Sequence, residues 1–239
     1  MSRDDHTQRA EPLRKRSRSR APSPATPSVG VPASSALPDP SAEAERWFDL
    51  GFSYALDGDQ VAAIDAYARA AELGPGAYET WYNLGNAYLE LGRLDDAVAA
   101  FRTALACHDG DPEVWNNLGN ALVQAERGGE AGRCFRRALA LNPGYDLSWN
   151  NLGNVLEEAG ALAEAQRAFE MAVELVPGHA TYRLNLASAL ARDGQIDRAV
   201  DHLVAALALA PEIRTLLPGF AEFAVLLADP RFSRLATGG

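Results

Sequence analysis

Chemistry in this 239-residue chain would have to come from a short list of side chains. Four histidines, His6, His108, His179 and His202, are scattered, and none forms the His-x-x-x-His or Cys/His spacing that a metal requires. Neither a Walker loop nor a Gly-x-Ser-x-Gly elbow is present. The cysteines, Cys107 and Cys134, make no Cys-x-x-Cys pair. Cys107 and His108 adjoin as a nucleophile and its base might, but neighbours on a helix point about 100° apart. Both cysteines are therefore expected to be small, partly buried hydrophobes. The chain reads as a non-enzyme with no catalytic residue, metal or cofactor. Asparagine is what recurs in a pattern: Asn83, Asn86, Asn116, Asn117, Asn120, Asn150, Asn151, Asn154 and Asn185. A side-chain amide offers both donors and an acceptor, which suits it to an extended peptide backbone. What these amides can reach depends on the elements that carry them.

Those elements repeat. Trp81-Tyr-Asn-Leu-Gly-Asn86, Trp115-Asn-Asn-Leu-Gly-Asn120 and Trp149-Asn-Asn-Leu-Gly-Asn154 recur at a spacing of 34 residues. Trp47-Phe-Asp-Leu-Gly-Phe52 before them and Arg183-Leu-Asn-Leu-Ala-Ser188 after them extend the series to five frames: 44–77, 78–111, 112–145, 146–179 and 180–213. With each tryptophan at position 4, position 7 is always leucine, and position 11 is Tyr54, Tyr88, Leu122, Leu156 and Leu190. Steps of three and four mean a helix, and positions 4, 7, 8 and 11 fall within a stripe of about 100° that must be buried. Position 8 is Gly51, Gly85, Gly119 and Gly153. Glycine there costs about 1 kcal/mol of helix propensity, so a second helix is expected to approach closely. Gly58, Gly92, Gly160 and Gly194 at position 15 predict a left-handed turn that closes the helix.

A second helix follows in each frame, with its own stripe at positions 20, 24 and 27: Ala63, Tyr67, Ala70 in the first repeat and Ala97, Phe101, Ala104 in the next. Pro75, Pro143, Pro177 and Pro211 at position 32 stop it. Asp109 stands there in repeat 2, and Asp111-Pro112 supplies an N-cap and first-turn proline for the next helix. This pattern of Trp, Leu-Gly, Tyr, Ala, Phe, Ala and Pro resembles the tetratricopeptide repeat. The resemblance implies an all-α fold, a right-handed α-solenoid of five helix-turn-helix repeats whose first helices line a concave groove that holds a peptide or protein. Repeat 3 has Glu126 at the turn position, Gly128 and Gly129 displaced and Gly132 within its second helix, so it is expected to be the loosest. Repeat 5 has Arg183 and Ala187 for Trp and Gly, so its stacking is expected to differ.

Positions 2, 5, 6, 9 and 13 lie opposite the core stripe and are expected to face solvent along that groove. They hold the asparagine rows at positions 5, 6 and 9, with Phe48, Phe52 and Tyr82 at the N-terminal end. Asparagine is a poor residue inside a helix, because its side chain competes for backbone hydrogen bonds. Three rows of it either bind a peptide backbone or bridge adjacent helices, and the two roles can coexist. The aromatic residues either receive a side chain of the partner or pack on residues ahead of repeat 1. Glu79, Glu90, Glu113 and Glu158 add negative charge, and positions 2, 5 and 6 hold no Lys or Arg with which to grip an acidic tail. The rows are similar to the asparagine ladder of O-linked N-acetylglucosamine transferases, although the catalytic module of those enzymes has no room here.

The remaining segments differ in composition. Residues 1–42 carry seven basic and four acidic residues, a net of +3, which leaves −13 on the rest of a chain whose total is −10. They also hold seven of the fourteen prolines and no aromatic residue, and are expected to form a disordered basic tail. The run Arg14-Lys-Arg-Ser-Arg-Ser-Arg20 could touch nucleic acid, anionic lipid or an acidic protein, but a solvated tail is the plainer expectation. Residues 214–239 include Leu216, Leu217, Phe220 and Phe223 and are expected to cap the last apolar face with short helices. The longest apolar run, Leu203 to Ala210, is far shorter than a membrane helix, and no apolar segment follows the basic residues of the first twenty. A cytoplasmic protein is expected, with no membrane insertion and no nucleic-acid ligand. Its expected function is that of a scaffold or adaptor for a protein or peptide partner, basic or extended, over residues 43–213. The alternatives are an accessory that delivers substrates to a separate enzyme such as a glycosyltransferase, or binding of nucleic acid or an anionic surface through the tail.

Overall fold

The computed structural model describes residues 39–215 together with Leu217 and Phe223. Residues 1–38 of the expected tail over 1–42 and most of the expected C-terminal cap lie outside the described residues, whereas Pro40, Ser41 and Ala42, expected to belong to the tail, form the first turn of a helix that Asp39 caps. Among the described residues every element is helical. The chain divides into two compact units, Met1–Asp109 and Gly110–Gly239. The first holds α1 (Pro40–Leu56), α2 (Gln60–Leu73), α3 (Tyr78–Glu90) and α4 (Leu94–Cys107). The second holds α5 (Pro112–Gln124), α6 (Gly128–Leu141), α7 (Asp146–Glu158), α8 (Leu162–Leu175), α9 (Ala180–Arg192) and α10 (Ile196–Leu209), followed by a 3-10 turn, Pro211–Thr215. Ile213 in that turn, Leu217 and Phe223 are buried.

The helix ends follow from local chemistry. Asp111 accepts a hydrogen bond from the Glu113 amide at 2.9 Å, with Pro112 in the first turn behind it. Asp39 and Asp59 cap α1 and α2 in the same manner. Each first helix closes by one device: the position-16 amide bonds the carbonyl of position 11, as in Arg93 to Tyr88 at 2.9 Å and Gln195 to Leu190 at 2.9 Å. The device needs positive φ at position 15, and Gly58, Gly92, Gly160 and Gly194 lie between 69° and 82°. Glu126 takes the same conformation at 58°, and Arg127 bonds Leu122 at 2.8 Å. The turn of repeat 3 is thus the same turn as the others, held by a residue that pays steric strain of about 1–2 kcal/mol to adopt it.

Packing within a repeat turns on glycine against an aromatic ring. A methyl group placed on Gly51, Gly85, Gly119 or Gly153 would lie 2.5–2.7 Å from the ring of Tyr67, Phe101, Phe135 or Phe169, respectively. The close approach expected at position 8 is therefore real, and the second-helix aromatic at position 24 fills the space. Repeat 5 exchanges both partners: Ala187 stands at position 8 and the smaller Leu203 at position 24, and both are fully buried. A larger residue on α9 is matched by a smaller one on α10. Positions 20, 24 and 27 are buried in all five repeats. Cys134 belongs to the core of α6, but Cys107, expected to be partly buried, is exposed at the end of α4.

Position 4 has a polar task beside its packing. Trp81 donates its Nε1 hydrogen to the Pro75 carbonyl at 2.9 Å, and Trp149 donates to Pro143 at 2.8 Å. Each ties a first helix to the chain that ends the preceding second helix, satisfying a carbonyl that proline's break of the helix leaves unpaired. Arg183 donates its Nε hydrogen to Pro177 at 2.8 Å. The loss of tryptophan in repeat 5 is thus compensated with the same hydrogen bond, and the altered stacking expected there is not seen at this contact.

A candidate peptide-binding face on the first helices

The expectation that positions 5, 6 and 9 all face solvent needs correction. At position 5, Tyr82 is fully buried, with its ring 6.0 Å from that of Phe101, and Phe48 packs on the first unit's core with its ring 5.7 Å from that of Tyr67. Asn116 and Asn150, in the same column, are buried too. At positions 6 and 9, Asn83, Asn86 and Asn117 are buried, whereas Asn120, Asn151, Asn154 and Asn185 are half-buried. Phe52 is half-buried. The physical reason is the number of neighbours. A stripe of about 100° suits a helix with one partner, but α7 packs on α8, α6, α5 and α9. Position 5 lies on a flank that one of these neighbours covers.

In the second unit the amides connect the first helices. The Asn116 Oδ1 accepts from Ser148 Oγ at 3.0 Å and from Asn151 Nδ2 at 3.3 Å. Asn151 Nδ2 also donates to Asn120 Oδ1 at 2.9 Å, so both of its hydrogens are used between α7 and α5. Asn116 Nδ2 donates to Asn117 Oδ1 at 3.3 Å. Between α9 and α7, Asn185 Nδ2 donates to Asn150 Oδ1 at 2.8 Å. Of the two roles open to these rows, bridging of adjacent helices is thus present in the molecule. Ser148, fully buried at position 3, was not visible as a member of the network. The only signal for it is its spacing of four from Leu152, which puts it on the same helix face.

Farther along the same seam, the Tyr182 hydroxyl donates to Asp146 Oδ2 at 2.7 Å, and the Tyr182 ring stacks on His179 at 3.7 Å. Burial, and then the Asp146 carboxylate, push the Tyr182 phenol well above its ordinary range. Burial also raises Tyr145, helped by Glu113, Asp111 and Asp146. On the second-helix side, Arg198 bonds Glu170 at 2.8 Å and Gln195 bonds Gln166 at 3.0 Å, holding repeats 4 and 5 together. Burial pushes the Glu170 carboxyl up, but the hydrogen bonds from Gln166 and Arg198 outweigh it and bring it below its usual value.

Beside these seams, positions 2, 6, 9 and 13 form a line along each first helix that is exposed at position 13 and half-buried or buried at positions 6 and 9 of α3, α5, α7 and α9. On α7 it reads Leu147, Asn151, Asn154, Glu158, and on α5 Glu113, Asn117, Asn120, Gln124. The bonds between α7 and α5 use the Nδ2 of Asn151 and the Oδ1 of Asn120 and fix both amides in orientation. Asn154 makes no side-chain hydrogen bond among the described residues. Glu158, Glu90 and Gln124 at the ends of these lines are exposed. Among the described residues no group of three His, Cys, Asp or Glu side chains could hold a metal ion, and no helix is long and apolar enough to cross a membrane.

Helix-turn-helix repeats of 34 residues, packed glycine against aromatic and joined through position 4, define a tetratricopeptide-repeat protein. The chain belongs to the family described as the cilia and flagella-associated protein 70 C-terminal domain, whose model matches residues 32–222. It is similar to the crystal structure of MamA, with 26% identity and a TM-score of 0.66 over 70% of this chain and 98% of that one. It is likewise similar to YrrB, described as a TPR protein with an unusual peptide-binding site, with 26% identity and a TM-score of 0.62 over 70% of this chain and 87% of that one. MamA from Desulfovibrio magneticus RS-1, at 19% identity and a TM-score of 0.67 over 71% and 96% of the two chains, shares the fold. No curated protein sequence matches the chain.

Proposed function

We propose that the chain is a non-enzymatic scaffold that holds a polypeptide on the half-buried amide face of α5, α7 and α9. The observation that carries this reading is the set of half-buried amides at Asn120, Asn151, Asn154 and Asn185. Those of Asn120, Asn151 and Asn185 are fixed by hydrogen bonds between helices. A fixed amide loses little freedom when it binds, and an array of donors and acceptors matches a peptide backbone without reading its side chains. The peptide-binding site named for YrrB, on the same fold, supports the same class of ligand. Bridging between helices and binding of peptide use different atoms of the same amides, so one role prepares the other.

Site-directed photo-cross-linking tests this. A cross-linking residue at Asn154 in the full chain, incubated in a native extract, is expected to trap polypeptide. The same residue at Glu174, exposed on α8, is expected to trap little. Equal trapping at the two positions would refute the assignment of the face.

A further inference from the structure

The exposed residues of α6 are Gly129, Arg133, Arg136, Arg137 and Ala140, so this helix shows solvent three cations, no carboxylate and otherwise only small side chains. Three other arginines stand three residues before a carboxylate and pair with it: Arg69 with Glu72 at 2.6 Å, Arg93 with Asp96 at 2.7 Å and Arg127 with Glu130 at 2.8 Å. Arg133 has Arg136 at that spacing, and like charges there destabilise a helix instead of supporting it. Arg136 reaches one carboxylate, Glu164 of α8, at 3.9 Å, with both side chains more than half exposed. Among the described residues Arg133 makes no ion pair or hydrogen bond through its side chain, and neither does Arg167, exposed on α8. Both stand at position 22, which is Asp65, Ala99 and Asp201 in repeats 1, 2 and 5. The Arg136–Glu164 contact sets the α6 face beside the start of α8, where Arg167 follows Glu164 by three residues on the same side of the helix. Arg137 has an interaction of its own, and the site does not include it.

We infer that Arg133, Arg136 and Arg167 form a docking site for an acidic segment of a partner polypeptide, on the second-helix layer and separate from the amide face of α5, α7 and α9. Charge complementarity identifies the occupant, because a guanidinium pairs with a carboxylate through two parallel hydrogen bonds. The size of the patch limits it. Residues 43–239 sum to −13, and Glu164, Glu170 and Glu174 border the patch on α8, so a long polyanion such as nucleic acid would run onto an acidic surface. A short acidic segment would not. Gly129 and Ala140, four residues before Arg133 and four after Arg136, leave room for its backbone. The geometry also sets the spacing. Arg133 and Arg136 are one turn apart, with Cβ atoms separated by about 5–6 Å. An extended peptide places residues two apart on one side at about 7 Å, so the motif is two acidic residues separated by one. The site ends at Arg167, because Glu174 two turns farther along α8 is itself an exposed carboxylate on that side.

The test is selection of random twelve-residue peptides displayed on phage against the full chain at low salt, followed by fluorescence polarisation of the best peptide. The expected consensus is Asp or Glu at two positions separated by one residue. The double variant Arg133→Ala, Arg136→Ala removes two exposed charge pairs with the peptide and is expected to weaken it about tenfold and to remove most of its salt dependence. Its melting temperature is expected to hold or rise, since a like-charge pair is lost. Arg69→Ala, equally exposed but on α2, is expected to leave binding unchanged. Selected peptides without the acidic pair, peptides indifferent to the double variant, or no selected peptide at all would each overturn the inference. A twelve-base-pair DNA duplex that binds as tightly as the peptide and is lost in the double variant would overturn it in favour of nucleic acid. A dimer in sedimentation velocity that the double variant dissolves would overturn it in favour of the acidic surface of a second copy. The acidic peptide is expected to leave cross-linking at position 154 unchanged, so the two sites stand or fall separately.

Discussion

Replacing Gly119 by alanine adds a single methyl group, so its effect measures the space between α5 and α6. In an exposed helix this change gains about 1 kcal/mol of helix propensity. Here the new Cβ would lie 2.5 Å from Cε1 of Phe135, 2.8 Å from Cζ and 2.9 Å from Cδ1. Non-bonded carbons rest about 3.5–4.0 Å apart, so the overlap is roughly 1 Å. Phe135 is fully buried and cannot turn its ring into solvent. Either the ring leaves its rotamer or α6 shifts, at about 1–3 kcal/mol. After the gain in propensity, a net loss of about 1 kcal/mol remains, or roughly 2–4 °C in melting temperature. Gly132→Ala is the control, because its Cβ would meet only ordinary contacts at 3.5 Å with Arg136 and Val155. That change should stabilise the protein by up to about 1 kcal/mol. Repeat 5 already contains the solution to the clash in Ala187 and Leu203, so adding Phe135→Leu to Gly119→Ala should recover about 1 kcal/mol relative to the sum of the two single changes. Urea unfolding followed by circular dichroism at 222 nm reads all four proteins. Additive effects, or a Gly119→Ala protein as stable as the Gly132→Ala one, would refute the close approach.

Three further outcomes follow from the geometry. Glu126→Gly should stabilise the chain by about 1 kcal/mol, because the residue already holds φ at 58° where its four counterparts are glycine; an unchanged denaturation midpoint would count against strain there. Asn116→Ala removes the acceptor shared by Ser148 and Asn151 and should cost about 1–3 kcal/mol, whereas Asn154→Ala should change stability by only a few tenths; similar midpoints for the two would show that the bridges carry no weight. Tyr67, Tyr145 and Tyr182 are held by burial above the ordinary tyrosine value of 10.0. Their contribution is complete below that pH and is lost as the unfolded phenols ionise above it, because the unfolded chain then binds fewer protons. Melting temperature should fall as pH rises past 10, less steeply for Tyr182→Phe, and a flat profile would contradict this.

Much of the architecture was legible in residue types alone. The 34-residue period, the glycines at positions 8 and 15 and the alanine-aromatic-alanine stripe each reflect a constraint within one repeat, where sequence distance and spatial distance stay coupled. Gly119 announces a close neighbour because no other residue fits, and Asp111-Pro112 announces a helix start because the cap is made by the next few amides. The asparagine rows were legible as a pattern but not as a structure. Whether Asn116 faces water or Ser148 depends on residues 32 positions away, brought together only when first helices stack side by side. A periodicity argument assigns one buried face to a helix, whereas a helix inside a stack has several, and Tyr82 and Asn150 sit on a face which that argument left in solvent. Substitutions in pairs were hidden for the same reason. Arg183 and Ala187 look like losses until the Pro177 carbonyl and the Leu203 side chain stand beside them, because compensation is a property of contacts and the sequence displays only their halves.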